Sequence, residues 1–515
     1  MSKTTKCPST ANEVPSAQVN GERRGGAAKF LKWILAAIVT YHLSVAAGLF
    51  VNLVSHPEIL SSSDAWHMLY YHQFSQGGHC YYAKDDLAHT SDGYTPLASE
   101  IFGLVIRFFG DDIRWVRMTS GLFGFAGMIL AGLCVYRLSG GNRFFAYVAA
   151  GLSPAVEMCW FIEVGPNTIH AVFALLGLYL LLRDPSVSWR TMWLVLAALF
   201  ACFWSKQTGL GYLAAGAFYI FLQDWRKGLA FSLTAALMIV VGVRHYIALE
   251  GSQFYYWVFQ MNQDQPLILS RLLDPFLSQL ISKRFVILVS FIFAGLVFTL
   301  RNWKSVIRPE HVFLGAAAIV GPFASCKYGS GFPQMYFFFQ MLIVCGVAFA
   351  ARFVTSFSAP RELVLMLFCM QGLALAQDFN PFLINQEDVS RYNQIMLLLK
   401  TPGKAACYIN RGYLGLLAGK GPFPNAGEDC WVGKTYHPEI LSKARRDFLQ
   451  KDPWDIVIID VPLEDGSFFL YDRLNKSYKL SFEIPPSTLY PSYGYDIRRK
   501  MMVLERKQAT EVQQH

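Results

Sequence analysis

Long apolar runs, each ended by polar or basic residues, dominate residues 29–378. A helix needs roughly 20 apolar residues to cross the hydrocarbon of a bilayer. In lipid each run has to satisfy its own backbone hydrogen bonds, so each run predicts a helix. The pattern predicts an α-helical polytopic membrane protein with about eleven transmembrane helices. The predicted spans are 30–54, 116–137, 144–162, 168–183, 191–205, 209–222, 229–248, 285–300, 311–326, 334–351 and 362–378.

Two apolar stretches need a separate interpretation. Pro96 to Gly110 is mostly apolar but, at about 14 residues, too short to cross, and it predicts a helix lying along the outer interface. Lys206-Gln207-Thr208-Gly209 interrupts another long stretch. We interpret that stretch as two spans joined by a tight turn.

Basic residues predict the orientation of the spans. Residues 1–28 are polar and predict a disordered cytoplasmic tail, and the run Phe30 to Val54 is too long for a cleavable signal and predicts an anchor. Lys and Arg precede this run and recur in alternate loops, which the positive-inside rule places in the cytoplasm. The outer loops are then 55–115, 163–167, 206–208, 249–284 and 327–333.

The polar region 379–515 predicts a separate small α/β domain. Ala405 to Ile409 and Asp455 to Asp460 have the apolar pattern of strands, and His437 to Gln450 has a helical pattern. An odd number of spans places this domain on the extracytoplasmic side. Cys407 and Cys430 both lie in it, and a disulfide between them is left open.

Composition narrows the class of protein. The chain is 53% hydrophobic and 16% charged, against about 25% charged residues in soluble proteins. The net charge of +9 is spread over loop ends, and no basic run alternates with stacking aromatics, which argues against nucleic-acid binding. The ten cysteines form no CxxC pair and no Cys/His metal spacing, so no structural zinc or iron–sulfur site is expected.

The first outer loop carries the most informative polar residues. Ser61 to Ser63 are typical helix caps, and Asp64 follows in the first turn, where the helix dipole favours an acid. That local role is one interpretation of Asp64. The helix continues with an aromatic face, and the motifs that follow it are Gly77-Gly78, Tyr81-Tyr82 and Tyr94-Thr95-Pro96-Leu97.

This ordered set resembles the GT-C membrane glycosyltransferases, including the aminoarabinose and protein-mannosyl transferases. The family pattern is an outer-loop acid that opens a juxtamembrane helix, a Gly followed by an aromatic, a Tyr-x-Pro-Leu, a closing Gly and an Arg at the second span. The corresponding residues here are Asp64, Gly77/Gly78, Tyr81, Tyr94 to Leu97, Gly110 and Arg117. The resemblance covers about residues 30–225 and continues more loosely through Lys327-Tyr328-Gly329.

The resemblance implies a transferase in the plasma (inner) membrane that moves a hexose or pentose from a polyprenyl-phosphate donor. The acceptor, which is a lipid, a glycan or a protein, lies on the extracytoplasmic side. A carboxylate is needed as the base for the acceptor hydroxyl, and cations are needed for the departing phosphate. The expected catalytic acids are Asp64 and Glu163, the second because Asn167 stands where an Asp is expected. The expected substrate-binding residues are Tyr82, Tyr94, Arg117, Lys206 and Lys327.

Other interpretations of these residues stay open. The three cations at span ends also fit side chains that reach for lipid headgroups. No resident cofactor is expected, and a divalent cation is left open, with Asp85 and Asp86 as alternative ligands or solvated turn residues. A transporter or lipid-linked-sugar flippase is the alternative function, but ionisable residues collect at outer span ends rather than at midplane depth. A membrane-anchored scaffold leaves the ordered outer loop unexplained.

Overall fold

In a computed structural model, most of the membrane region and parts of the C-terminal region are described. The described residues are 16–59, 61–77, 80–82, 93–155, 164–264, 267–270, 280, 282, 284–301, 307–327, 332–356, 360–376, 383–408, 412–419, 454–459, 478–487 and 500–507. All structural statements below concern these residues.

Helices account for most of the described chain up to residue 376. They are α1 (Ser16–Ser55), α2 (Ser62–Ser75), α3 (Leu97–Phe109), α4 (Ile113–Leu138), α5 (Arg143–Leu152), α6 (Pro166–Arg183), α7 (Trp189–Ser205), α8 (Gly209–Gln223), α9 (Trp225–Glu250), α10 (Val286–Arg301), α11 (Pro309–Ser325), α12 (Tyr336–Ser356) and α13 (Arg361–Leu375). After Gly251, which ends α9 with a positive φ, three short helical turns follow one another and form the 252–264 segment: Ser252–Tyr255, Tyr256–Gln260 and Met261–Asp264.

Each predicted span overlaps a helix, but within the predicted span 144–162 helix α5 ends at Leu152, and residues 156–163 lie outside the described residues. Among the described residues, five helices are long and apolar enough to cross a bilayer: Gly26–Ser55, Ile113–Leu138, Pro166–Arg183, Trp225–Glu250 and Tyr336–Val354. Four shorter apolar helices, α5, α7, α8 and the first part of α10, lie among them. The turn predicted at 206–208 separates α7 from α8, and the helix predicted at 96–110 is α3. The chain is thus a polytopic helical membrane protein.

Local sequence explains where several helices begin. Asn142, Ser188 and Asp224 accept backbone N–H bonds at the first turns of α5, α7 and α9, which are common capping interactions. Pro166 is the first residue of α6, where its missing N–H costs nothing. One prediction needs correction: α1 begins at Ser16, so the helix extends into the predicted disordered tail, 1–28.

The bundle core surrounds α12. Nearly all side chains of α12 from Tyr336 to Ala351 are buried, against α4, α10 and α11 among others. In contrast, α9 exposes Leu229, Leu233 and Leu237. A helix that is apolar all round is either buried in protein or faces lipid, and these two helices show the two cases.

The C-terminal region contains a four-stranded mixed sheet. Its strands are β1 (Ala406–Tyr408), β2 (Ile456–Ile459), β3 (Tyr478–Ile484) and β4 (Met501–Arg506), in the order β1-β2-β4-β3. β1 and β2 are parallel and correspond to the two predicted strands, while β3 and β4 were not predicted. Helices α14 (Gln386–Leu399) and α15 (Gly412–Leu417) accompany the sheet. The predicted helix 437–450 and Cys430 lie outside the described residues.

The C-terminal elements pack on the helices of the first predicted outer loop. One apolar cluster contains Tyr71 of α2, Phe102 of α3, Tyr413 of α15 and Ile458 of β2. The Asn52 side chain, near the end of α1, accepts the Ile384 N–H at 2.8 Å and donates to the Ile384 carbonyl at 3.2 Å. The sheet and α2 therefore lie at the same end of the helical bundle.

Candidate active site

Asp64 lies in the first turn of α2, and a serine caps that helix. The Asp64 N–H donates to Ser61 Oγ at 3.0 Å. Ser61 therefore provides the side-chain cap, and the Asp64 carboxylate is available for another contact. Its side chain is 13% exposed, and Oδ2 lies 3.1 Å from Arg117 Nη2.

Arg117 is the most buried cation near this carboxylate, with 2% of its side chain exposed. Nη2 also donates to the Glu58 carbonyl at 3.0 Å, and Nη1 donates to the carbonyls of Leu53 and His56 at 3.2 and 2.9 Å. Leu53 is in the last turn of α1, where carbonyls lack helical partners. Arg117 thus binds a carbonyl at the end of α1, holds the α1–α2 linker through two further carbonyls, and orients Asp64.

The Tyr94 ring connects α2 with Lys206. His67 follows Asp64 by about one helical turn, and its ring stacks on Tyr94 with centroids 6.4 Å apart and planes 12° apart. Lys206 Nζ lies 5.4 Å from the Tyr94 ring centroid, within the range of a cation–π contact. The rings of His67 and Tyr94 therefore join the helix of Asp64 to a buried cation.

Lys206 lies at the C-terminal end of α7 and is 2% exposed. Its ammonium donates to Asn167 Oδ1 in the first turn of α6. A helix N-terminus carries partial positive charge. Lys206 thus places a positive charge between Tyr94 and the start of α6.

Lys327 follows α11 and reaches the 252–264 segment. Its ammonium donates to the Asn262 carbonyl, and its backbone pairs with Leu267 in an isolated bridge. Burial lowers the pKa of Lys327 from its ordinary value. Lys327 is thus a partly desolvated cation close to the loop that carries Tyr94.

Tyr82 joins the same assembly through its main chain. The Tyr82 carbonyl accepts the Trp257 Nε1–H at 2.7 Å. The preceding residue, Tyr81, donates its hydroxyl to the Tyr94 carbonyl at 2.9 Å. Both tyrosines therefore attach the first outer loop to the aromatic cluster around the 252–264 segment.

The structure brings together six of the seven predicted site residues. Asp64 and Arg117 are in direct contact, as are Tyr94 and Lys206, whereas Lys327 and Tyr82 reach Tyr94 through intervening residues. The seventh, Glu163, lies outside the described residues, as do Asp85 and Asp86. Among the residues that the structure describes, no three His, Cys, Asp or Glu side chains are grouped as metal ligands, so no metal site is assigned there.

Sequence reasoning missed several residues of this assembly. His67 was not among the predicted site residues, although its position three residues after Asp64 places both on one helical face. Asn167 was noted only as a departure from the expected acid, and its contact with Lys206 was not foreseen. Gln207 and Asn262, which hold the Tyr94 loop, had no sequence signal because their partners are distant along the chain.

Comparisons with known proteins define the class of fold. No family model matches the chain, and no curated protein matches it in sequence. Among solved structures, ArnT from Cupriavidus metallidurans bound to undecaprenyl phosphate is 13% identical, with a TM-score of 0.54 over 92% of this chain and 98% of that chain. Its apo form gives a TM-score of 0.52 at 13% identity, over 90% of this chain and 97% of that chain.

A second relative of the fold is archaeal. The Archaeoglobus fulgidus oligosaccharyltransferase complex with Zn and sulfate is 12% identical, with a TM-score of 0.51 over 89% of this chain and 72% of that chain. Both neighbours are GT-C glycosyltransferases. The fold of this chain is therefore the GT-C fold, as the motif order in the first outer loop predicted.

Proposed function

We propose that this protein is a GT-C-type glycosyltransferase that moves a sugar from a polyprenyl-phosphate donor to an extracytoplasmic acceptor. The observation that carries the proposal is the contact between Asp64 and Arg117 at the start of α2. Beside it, Tyr94 and Lys206 form a positive, partly aromatic environment. The fold shared with ArnT, which was solved with undecaprenyl phosphate bound, supports a lipid-linked donor.

Asp64 is the proposed catalytic base. Its carboxylate removes the proton from the acceptor hydroxyl while that oxygen bonds to the anomeric carbon of the donor sugar. The bond between this carbon and the phosphate oxygen breaks, and its electron pair leaves with the polyprenyl phosphate. Glu163 is a second proposed acid. Attack opposite the leaving phosphate would invert the anomeric centre.

Lys206 and Lys327 are the proposed cations for the departing phosphate. Lys206 is buried beside the N-terminus of α6, and Lys327 is half-buried near the Tyr94 loop. Fixed positive charge in a poorly solvated site stabilises the negative charge that develops on the leaving oxygen. The rings of Tyr94 and Tyr82 are proposed to contact the sugar.

Arg117 has a different proposed role from the phosphate contact that the sequence suggested. Its two terminal nitrogens donate to three carbonyls and to Asp64. These four bonds use the four N–H groups of those nitrogens. We therefore propose that Arg117 positions the base and leaves phosphate binding to the lysines.

The proposed topology follows the charge pattern of the loops. The N-terminus is cytoplasmic, and residues 379–515 lie outside with the first outer loop. Because α15 packs on α2, the C-terminal domain is next to the helix that carries Asp64. A lipid, glycan or protein acceptor would approach between them, in the plasma (inner) membrane.

The direct test replaces Asp64 with Asn in purified protein and measures sugar release from a panel of polyprenyl-phosphate sugars. Loss of a general base typically lowers the rate by about 10²- to 10⁴-fold. The matched control is Asp224→Asn, because Asp224 caps α9 at the opposite end of the bundle and Asn caps equally well. Both variants are compared with wild type by size-exclusion profile and thermal unfolding.

Each outcome has a defined meaning. Activity in wild type and in Asp224→Asn, with loss in folded Asp64→Asn, supports the proposed reaction and its base. Equal activity in all three proteins removes Asp64 as the base and directs the search to Glu163. If wild type releases no sugar from any donor in the panel, the transferase proposal fails and lipid-linked-sugar transport is tested next.

A further inference from the structure

Two side-chain amides and two backbone carbonyls contact one another next to Tyr94. Gln207 Nε2 donates to the Gly93 carbonyl at 2.6 Å and to the Val258 carbonyl at 2.8 Å. Asn262 Nδ2 donates to the same carbonyls at 3.2 and 3.1 Å and also lies 3.4 Å from the Trp257 carbonyl. We name Gln207, Asn262, Gly93 and Val258 the amide clasp.

The hydrogen-bond capacity of these groups explains why the set holds together. An amide NH₂ has two N–H donors and a carbonyl has two acceptor lone pairs. Each clasp amide contacts both carbonyls, so a single side chain can join the loop of Gly93 to the turn of Val258. Val258 belongs to the π-helical turn Tyr256–Gln260, a rare conformation that is frequent at functional sites.

Each clasp segment carries or touches a candidate site residue. Gly93 precedes Tyr94, whose ring lies over Lys206, and Gln207 follows Lys206 at the α7–α8 turn. The Asn262 carbonyl accepts a hydrogen bond from the Lys327 ammonium. The clasp therefore joins the loop of Tyr94, the turn of Lys206 and the partner of Lys327.

We propose that Gln207 and Asn262 are positioning residues, whose clasp fixes the Tyr94 loop relative to Lys206 and Lys327. The inference rests on the proposed function and deepens it. It makes the placement of the proposed donor-binding residues Tyr94, Lys206 and Lys327, here called the donor side, depend on two neutral amides. Through the stacking of Tyr94 on His67, the same clasp fixes the donor side relative to the helix of Asp64. Both residues act through others and need no contact with substrate.

Neutral variants of similar size test this role. Gln207→Met and Asn262→Leu remove the N–H donors and keep the volume, and the double variant removes all four contacts. The control is Gln223→Met, the same change at an exposed glutamine at the end of α8. Donor kcat and KM are measured for all five proteins.

Displacement of a reacting group by about 1 Å costs about 10²-fold in rate. We therefore expect kcat to fall about 10²-fold in each single variant, with donor KM within about threefold of wild type. Since the clasp acts as a unit, the double variant should lose no more than about threefold beyond either single variant. A single variant with wild-type kcat, or single effects that multiply in the double variant, would overturn the proposal.

Hydrogen exchange of the peptide spanning residues 93–97 provides a readout that is independent of transfer. Exchange there should be faster in both single variants and unchanged in Gln223→Met. If wild type transfers no sugar, the proposed function fails, but faster exchange in the two variants still supports the clasp as a constraint on the Tyr94 loop, beside the Tyr81 and Thr95 hydrogen bonds. Exchange equal to wild type in both variants contradicts the clasp, whether or not the enzyme is active.

Discussion

At the scale of single residues, Arg117 shows how one buried side chain organises a site. Its guanidinium joins the last turn of α1, the linker at His56 and Glu58, and the Asp64 carboxylate. A planar fork with fixed N–H directions can make these contacts together, whereas a lysine ammonium is a compact point charge. The linker conformation and the orientation of Asp64 therefore depend on the same residue.

Replacement of Arg117 should affect stability as well as activity. Arg117→Met leaves the mostly buried Asp64 carboxylate without its partner, which typically costs about 3–5 kcal/mol of folding free energy. Adding Asp64→Asn should recover part of that loss, because it removes the uncompensated charge. Thermal unfolding of the two single variants and the double variant measures this coupling. Purely additive effects would show that the ion pair has no energetic role.

The lowered pKa of Lys327 predicts a pH dependence of donor binding. Lysine carries its charge below its pKa, and burial lowers the pKa of Lys327 from the ordinary value of 10.5. The cation is therefore lost at a lower pH than an exposed lysine would lose it. We expect donor affinity to weaken on the alkaline side before pH 10.5 is reached.

The control for this pH effect is Lys327→Arg, which stays charged across the range because the pKa of arginine lies well above that of lysine. In this variant 1/KM for the donor should no longer fall at alkaline pH, although its absolute value can differ from that of wild type. An identical alkaline limb in wild type and variant would assign the titration to another group.

At the scale of elements, the α7–α8 turn carries two adjacent residues of the proposed site, Lys206 and Gln207. Lys206 contacts the Tyr94 ring, and Gln207 forms the amide clasp. Gly209 begins α8 where the chain returns against α7, and a Cβ there would lie 2.4 Å from Phe203 N and 2.5 Å from Phe203 Cα. Backbone atoms cannot rotate away as a flexible side chain can, so this turn requires glycine.

Gly209→Ala should therefore displace the turn. Overpacking of this kind typically costs about 1–3 kcal/mol, and we expect a lower unfolding temperature together with reduced donor turnover. The matched control is Gly315→Ala in α11, where an added Cβ meets nothing within 4 Å. Alanine in a helix interior is favoured over glycine by about 0.5–1 kcal/mol, so the control should be at least as stable as wild type. Equal stability of the two variants would contradict the close approach at Gly209.

At the scale of the whole molecule, the C-terminal elements and the α2–α3 region share one apolar cluster. His72 of α2 places its Nδ1 2.7 Å from Oδ2 of Asp111, which lies just before α4. The His72 ring centroid is also 6.2 Å from that of Tyr413 on α15. The helix of Asp64 thus contacts both the membrane bundle and the C-terminal domain. The C-terminal domain and the proposed active site at Asp64 must therefore lie on the same side of the membrane.

The proposed orientation can be tested by labelling single added cysteines in intact cells. Lys404 and Arg190 are both exposed cations, the first next to β1 and the second near the start of α7. An impermeant thiol reagent should label Lys404→Cys directly and Arg190→Cys only after permeabilisation. Labelling is compared with the unsubstituted chain, in which Cys80, Cys134, Cys202, Cys326, Cys345 and Cys369 are buried. The reverse pattern would invert the topology and place Asp64 in the cytoplasm.

Much of the fold was predictable because membrane helices are encoded locally. Apolar runs of sufficient length gave the positions of α1 and α4 to α13, and the short run after Pro96 gave α3. Two strands of the sheet were also predicted, but β3 and β4 were not. On edge strand β3, exposed Leu480 and Phe482 interrupt the usual alternation, and a register shift occurs between them.

The sequence by itself determined the helical membrane architecture, the motif order of the first outer loop and the candidates Asp64, Arg117, Tyr94, Lys206 and Lys327. These features depend on hydrophobicity, charge and spacing within short segments. Only the tertiary structure decided which candidates touch: Arg117 binds Asp64, Tyr94 lies between His67 and Lys206, and Gln207 and Asn262 hold the loop. The physical reason is that these contacts join residues between about 25 and 170 positions apart, and such pairing is fixed by the packing of the whole bundle.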